Sequence, residues 1–184
     1  MLDRAATTIA ISLCPEEALC YLARVYTTLV VFNPPEFMKT AISSRVLIHS
    51  LGYPDSYEFA HICKQLMDEF GFDTETFPAF ALQGLATIAS IVPCDRHDLE
   101  LDFTDSQWNE IAPTSLTDIQ SRVEDRGQSA WLVKLKDTYF LQEPIYDVLA
   151  PINTETGDVW LPKHISHLED FQQALSRDIL TSKV

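Results

Sequence analysis

The residue types in this sequence best placed to do chemistry form two short pairs, Cys94-x-x-His97 and His164-x-x-His167. Zinc takes cysteine and histidine in fours, and short pairs bring two ligands to one ion. The long interval between the pairs is not diagnostic, with His164 expected in a loop and His167 in the first turn of a helix. These four are the candidate metal ligands; the plainer reading is a surface histidine among acids, beside a cysteine that follows a helix stop. The acids are Asp95, Asp98, Glu100 and Asp102, without the Asp-x-Asp-x-Asp-Gly order and closing Glu of a calcium loop. They read as a solvated acidic face.

Cys14 stands where the start of a first helix would lower a thiol pKa. A nucleophile also needs a base, and His49, His61 and His97 are the candidates. His61-x-Cys63 sets its two side chains on different parts of a helix, so they do not form a dyad. Buried structural cysteines are the plainer reading. Phosphate-cradling glycine motifs, a Gly-x-Ser-x-Gly elbow and His-Glu-x-x-His are all missing. The sequence therefore assigns no catalytic residue and implies no cofactor.

Trp108, Trp131, Tyr139, Phe140, Tyr146 and Trp160 gather in the second half of the chain. Large amphipathic rings of this kind fill a core or anchor an interface. Trp108, Trp131 and Trp160 are the expected anchors, and a small second core is the alternative.

The elements that would carry these residues follow from periodicity. The chain has 184 residues, enough for one domain, 1–184, with a substantial core. Residues 1–92 read as a helical part. Pro15-Glu16-Glu17 opens a first helix, and Leu19, Leu22, Tyr26, Leu29 and Val30 share a face. Asn33-Pro34-Pro35 starts a second, which runs to Gly52. Asp55 to Gly71 is a third, and Phe77 to Val92, free of charge, a fourth. Short connections then give an antiparallel bundle.

Residues 93–184 read as mixed. Residues 94–103 form a half-exposed strand or an acidic connector. Thr104 or Asp105 caps a short helix with Trp108 and Ile111, and Leu116 to Arg126 is another. Ser129–Lys136 and Thr138–Glu143 pair as a hairpin through Asp137, with weaker strands at Ile145–Ala150 and Val159–Leu161. Ser166-x-x-Glu169 is a capping box opening a terminal helix. The predicted fold class is α+β: an N-terminal helical bundle, a small antiparallel sheet and a C-terminal helix.

Charge bounds the function. With 13 Lys+Arg against 27 Asp+Glu, the formal net charge is −14, and the bases occur mostly singly. Such a surface repels polyanions, so neither nucleic acid nor an anionic membrane is an expected partner. The longest apolar stretch, Ala18 to Phe32, is broken by Arg24 and is too short to span a bilayer. The apolar run near the N-terminus is short and threonine-rich for an export signal. Four scattered cysteines read as reduced thiols in the cytoplasm.

The leading expectation is a regulatory protein-binding module: an adaptor, inhibitor, immunity protein or chaperone. Its acidic surface, including Asp95, Asp98, Glu100 and Asp102, would steer a basic partner toward an aromatic patch. A metal-dependent enzyme or sensor using Cys94, His97, His164 and His167 is a second reading. A small-ligand sensor with a pocket between helices is a third. A homodimer through the uncharged fourth helix is compatible with each.

Overall fold

The computed structural model describes residues 8–51, 60–73, 76–94, 103–146 and 165–167. In chain order the elements are β1 (Thr8–Leu13), α1 (Pro15–Leu22), β2 (Thr28–Phe32), a 3-10 turn (Glu36–Thr40), β3 (Arg45–Ser50) and α2 (Ala60–Phe70). There follow β4 (Ala81–Cys94), α3 (Asp105–Asn109), α4 (Leu116–Glu124), β5 (Ala130–Tyr146) and β6 (Ile165–His167). The strands make one mixed sheet in the order β2-β5-β4-β3-β1-β6. Among the described strands only β1 and β3 run parallel, and the crossover between them carries α1, β2 and the 3-10 turn.

The predicted N-terminal helical bundle is therefore overturned: of the four expected helices, two survive in part. The first stops at Leu22, because Arg24 enters the left-handed region at φ 63° and its guanidinium donates to the Thr138 carbonyl at 2.9 and 3.0 Å. Beyond it, Thr27 to Val31 is rich in β-branched side chains, which favour a pleated strand over a helix. The second expected helix keeps only the 3-10 turn before β3, where Val46, Leu47, Ile48, His49 and Ser50 are all buried. The third is α2, closed as expected by Gly71 at φ 72°. The fourth is not a helix at all but β4, a central strand hydrogen-bonded on both sides. An apolar run buried on both faces shows no period that separates strand from helix.

In the second half, Thr104 caps α3 with a full capping box to Gln107, and Ser115 caps α4. The expected hairpin at Asp137 is a correction of another kind. Residues 130–146 form one continuous strand, and Asp137, at φ 51°, lies within an irregularity in its pairing with β4. Ser166 and His167 lie in β6, opposite Ala10 and Ile9, rather than opening a helix. The strand expected at Val159–Leu161 and the remainder of the expected terminal helix lie outside the described residues, as does most of the acidic segment 94–103.

Three apolar clusters hold the sheet. α1 and α2 cover one face through Leu19, Tyr21, Leu22 and Leu66, packed on Ile9, Ile11, Ile48, Ile88 and Val133. On the opposite face Ala10, Leu47, Leu82, Leu85 and Leu141 pack together. α3 and α4 close the end of the sheet at β2 and β5, with Trp108 and Ile119 against Val30 and Ala130. Trp108 is fully buried, stands edge-on to Phe103 at 5.4 Å and donates from Nε1 to the Thr114 carbonyl at 2.6 Å.

Gly84 is required by close approach rather than by its dihedrals. A Cβ there would collide with both Cδ atoms of Leu22 and stand 2.6 Å from the Tyr139 carbonyl oxygen. Gly84→Ala is expected to destabilise the protein by about 1–3 kcal/mol through overpacking, and Trp108→Ala by about 3–5 kcal/mol through loss of a buried aromatic ring. Urea denaturation monitored by circular dichroism checks both, with a lower midpoint expected at unchanged slope.

Candidate functional site

β1 and β2 stand at opposite ends of the run β2-β5-β4-β3-β1, yet residues of both line one cleft. The sheet must therefore curl until these two strand edges face each other. Irregularities in the β4–β5 pairing occur between Leu82 and Gly84, between Leu85 and Thr87, and between Ile88 and Ser90. Such bulges bend a strand and raise its twist. Among the described residues β6 pairs with β1 over Ile9–Ile11.

The resulting cleft encloses about 650 Å³. Leu13, Leu29, Val30, Val31, Phe32 and Pro35 make most of its wall apolar. The polar lining comes from Ser12, Asn33, Arg122 and Gln128. Asn33 adopts φ 48°, a conformation that asparagine tolerates. It ties the end of β2 to the start of β5: its amide donates to the Ser129 carbonyl at 2.8 Å, and its Oδ1 accepts from the Ser129 amide at 2.9 Å.

Arg122 comes from the last turn of α4, with its guanidinium over the Phe32 ring at 4.7 Å. Asp118, one turn earlier, places Oδ2 3.0 Å from Arg122 Nε. The pair balances charge, but that N–H lacks an aligned hydrogen-bond acceptor. Gln128 Oε1 is also buried without a partner. Both atoms belong to residues of one cleft wall, where an ordered water or a ligand group can satisfy them.

At the β1 end, Ser12 is the direct cross-strand neighbour of His49 on β3. Ser12 Oγ lies 3.3 Å from His49 Nδ1, and both residues are buried. Burial pushes the His49 imidazole below its ordinary range, opposed by a hydrogen bond to the backbone of Phe80. The ring is therefore neutral at neutral pH.

The residues picked from sequence fare unevenly. Trp108 is sealed inside the core and is no docking anchor. Trp131 is half-buried, with the Lys39 ammonium 5.6 Å from its ring centre. Trp160, His97, His164 and the acids Asp95, Asp98, Glu100 and Asp102 lie outside the described residues. Cys94 is half-buried at the end of β4, paired with Ala130. His167 shares a row of the sheet with Ile9, Val46 and Ala86, which sets its backbone roughly 25 Å along the strand direction from that of Cys94. Among the described residues no three metal-ligating side chains come together. No helix among them is long and apolar enough to cross a membrane.

Cys14 reverses its expectation. It is the N-cap residue of α1, and its side chain makes no capping hydrogen bond. Burial of the sulfur, and next Glu17, push the thiol up to about 12, although the residue is exposed. Ser12, Asn33, Arg122 and Gln128 escaped the sequence reading, and His49 was weighed there only as a base for Cys14. One signal was present: Ser12 and His49 each interrupt a short apolar run, in Ile-Ala-Ile-Ser-Leu and Val-Leu-Ile-His-Ser.

Two measurements follow from these shifts. Because the folded-state pKa of His49 lies below the unfolded value of 6.5, the unfolded chain binds the extra proton first as the medium is acidified. The corresponding stability is complete above about pH 6.5 and is lost as pH falls through the folded pKa. A melting-temperature series is expected to decline below that point, and His49→Gln to remove this part of the decline, leaving the carboxylate part near pH 4. For Cys14, iodoacetamide at about pH 8 is expected to alkylate the folded protein at least about 100-fold more slowly than the unfolded chain, followed by peptide mass mapping.

No protein-family model matches the sequence, and no curated protein matches it. Solved structures do. The chain is similar to ASCH from Zymomonas mobilis, with a TM-score of 0.55 and 20% identity over 97% of this chain and 96% of that one. It is similar to a serine-to-alanine variant of the same protein at 0.59 and 19%, covering 95% and 96% of the two chains. A tyrosine-to-phenylalanine variant aligns at 0.56 and 18%, covering 94% and 97%. At this identity the likeness is one of fold, and it extends over nearly the whole chain: this protein has the fold of ASCH from Zymomonas mobilis.

Proposed function

We propose that this protein is a cytoplasmic binding module for a small neutral molecule, held in the cleft between β1 and β2. The observation that carries the reading is the cleft of about 650 Å³, with its apolar floor and a few polar side chains at its wall. That combination is what ligand sites share. It relocates the pocket from between helices to between strand edges.

The chemistry of the wall supports a neutral ligand. Arg122 is already balanced by Asp118, and the chain carries a net charge of −14, so an anion gains little here. Arg122 Nε–H is not aligned with the nearby Asp118 carboxylate, and Gln128 Oε1 lacks a donor. A small rotation of either side chain would offer these groups to a ligand with a donor and an acceptor of its own. An amide-like head on a flat apolar body meets both demands, with Phe32 among the apolar residues it packs against.

The expected aromatic docking patch is less well supported, because Trp108 is buried and Lys39 stands over Trp131. Among the described residues Cys14, Cys20 and Cys94 form no disulfide, in keeping with the reducing compartment proposed.

A nuclear magnetic resonance titration of the isotope-labelled protein tests the reading, with benzamide as the neutral probe and benzoate as its charged counterpart. Benzamide is expected to shift the backbone amides of residues 29–33 and 128, and benzoate to leave them in place. Phe32→Ala is expected to weaken benzamide about tenfold, equivalent to about 1.4 kcal/mol. Equal responses to the two probes, or shifts confined to other surfaces, would overturn it.

A further inference from the structure

The cleft contains more polar construction at its β1 end than ligand binding requires. Ser12 belongs to the cleft lining, and its Oγ lies 3.3 Å from His49 Nδ1. The two are paired directly across neighbouring parallel strands, so their separation is set by the backbone ladder rather than by flexible loops. Only 6% of each residue's surface is exposed. Behind them, the pairing of β3 with β4 breaks between Ile48 and His49, where β4 inserts Gln83 between Leu82 and Gly84. Gln83 is buried, donates from Nε2 to the Pro78 carbonyl at 2.8 Å, and keeps an Oε1 without a partner. Phe80, whose backbone hydrogen-bonds the His49 ring, sits in the left-handed region at φ 54°. A bulge and a strained residue beside a buried imidazole are features that cluster at reactive sites.

We propose that Ser12 is a nucleophile and His49 its general base, acting on the carbonyl group of an ester or amide bound in the cleft. This rests on the cleft being a site for a neutral ligand. The hydroxyl oxygen of Ser12 bonds to the carbonyl carbon while its proton passes to Nδ1 of His49. The tetrahedral adduct collapses, and the departing alcohol or amine takes that proton from His49. Water then adds to the acyl carbon, giving its proton to Nδ1. The bond to Ser12 breaks, and its oxygen takes the proton back. One water is consumed, and an acid and an alcohol or amine are released. Nucleophile, base and a group that fixes the base are the parts such a step needs. The 3.3 Å separation is in keeping with a pair that tightens when substrate arrives.

The test uses the full chain and a fluorophosphonate. In that reaction Ser12 Oγ bonds to phosphorus, fluoride leaves, and the proton goes to His49. Intact-mass and peptide analysis are expected to show one phosphonyl group on Ser12 and none in Ser12→Ala. His49→Gln keeps a hydrogen-bonding side chain beside Ser12 but cannot serve as the base, and is expected to slow labelling about 100-fold or more. A Ser–His contact that merely stabilises the fold would lower the melting temperature on substitution without any labelling. No adduct on Ser12, or an unchanged rate in His49→Gln, would overturn the inference. The benzamide titration on the same protein separates the failures. Retained cleft binding without labelling removes the reaction alone, whereas loss of both removes the ligand reading as well.

Discussion

The β4–β5 ladder is the constraint on which the remaining architecture depends. These are the two longest of the described strands, pairing from Ala81 with Tyr146 to Cys94 with Ala130, and both are interior strands of the sheet. A flat ladder of this length would leave β1 and β2 far apart at two open margins. The successive irregularities in its register bend it instead, and β3–β1 on one side and β2 on the other are carried round with it. The cleft is thus a consequence of sheet curvature. Its floor is made of strand-edge residues, while α4 and the segment following it supply Arg122 and Gln128.

Packing fixes that curvature. Leu22 of α1 occupies the space that a side chain at position 84 would need, so the helix sits against the backbone of β4. Arg24 then grips the Thr138 carbonyl of β5 from the turn that ends α1. At the other end Trp108 fills the space between α3 and the sheet, with its one polar atom satisfied. Helix caps, a close-packed glycine and a cation on a backbone carbonyl therefore act on the same curved surface. The cleft can keep partly unsatisfied polar groups because the apolar clusters around it carry the stability.

Electrostatics separate the surface from the site. The chain is strongly acidic overall, but Arg122 in the cleft wall is balanced by Asp118 of its own helix, and burial lowers the pKa of the imidazole beside Ser12. The thiol of Cys14, two residues past Ser12, is kept protonated by its burial and by Glu17 and Glu16. Between these two side chains, the environment favours the hydroxyl next to the imidazole over the thiol at the helix start.

Local chemistry was legible in the sequence where its cause is local. The start of α1 at Pro15, the close of α2 at Gly71, the Thr104 cap and the extent of α4 were all readable from a few neighbouring residues. The uncharged run from Phe77 to Val92 was recognisable as largely buried, but burial on both faces erases the period that tells strand from helix, and only pairing with β3 and β5 made it β4. Likewise Asp137 announced a break in the backbone, and tertiary pairing decided that it was a bulge in one strand instead of a turn between two. Ser12 and His49 were visible as polar interruptions in apolar runs. Their meeting required β1 and β3 to lie parallel in one register, a long-range fact that no spacing along the chain encodes.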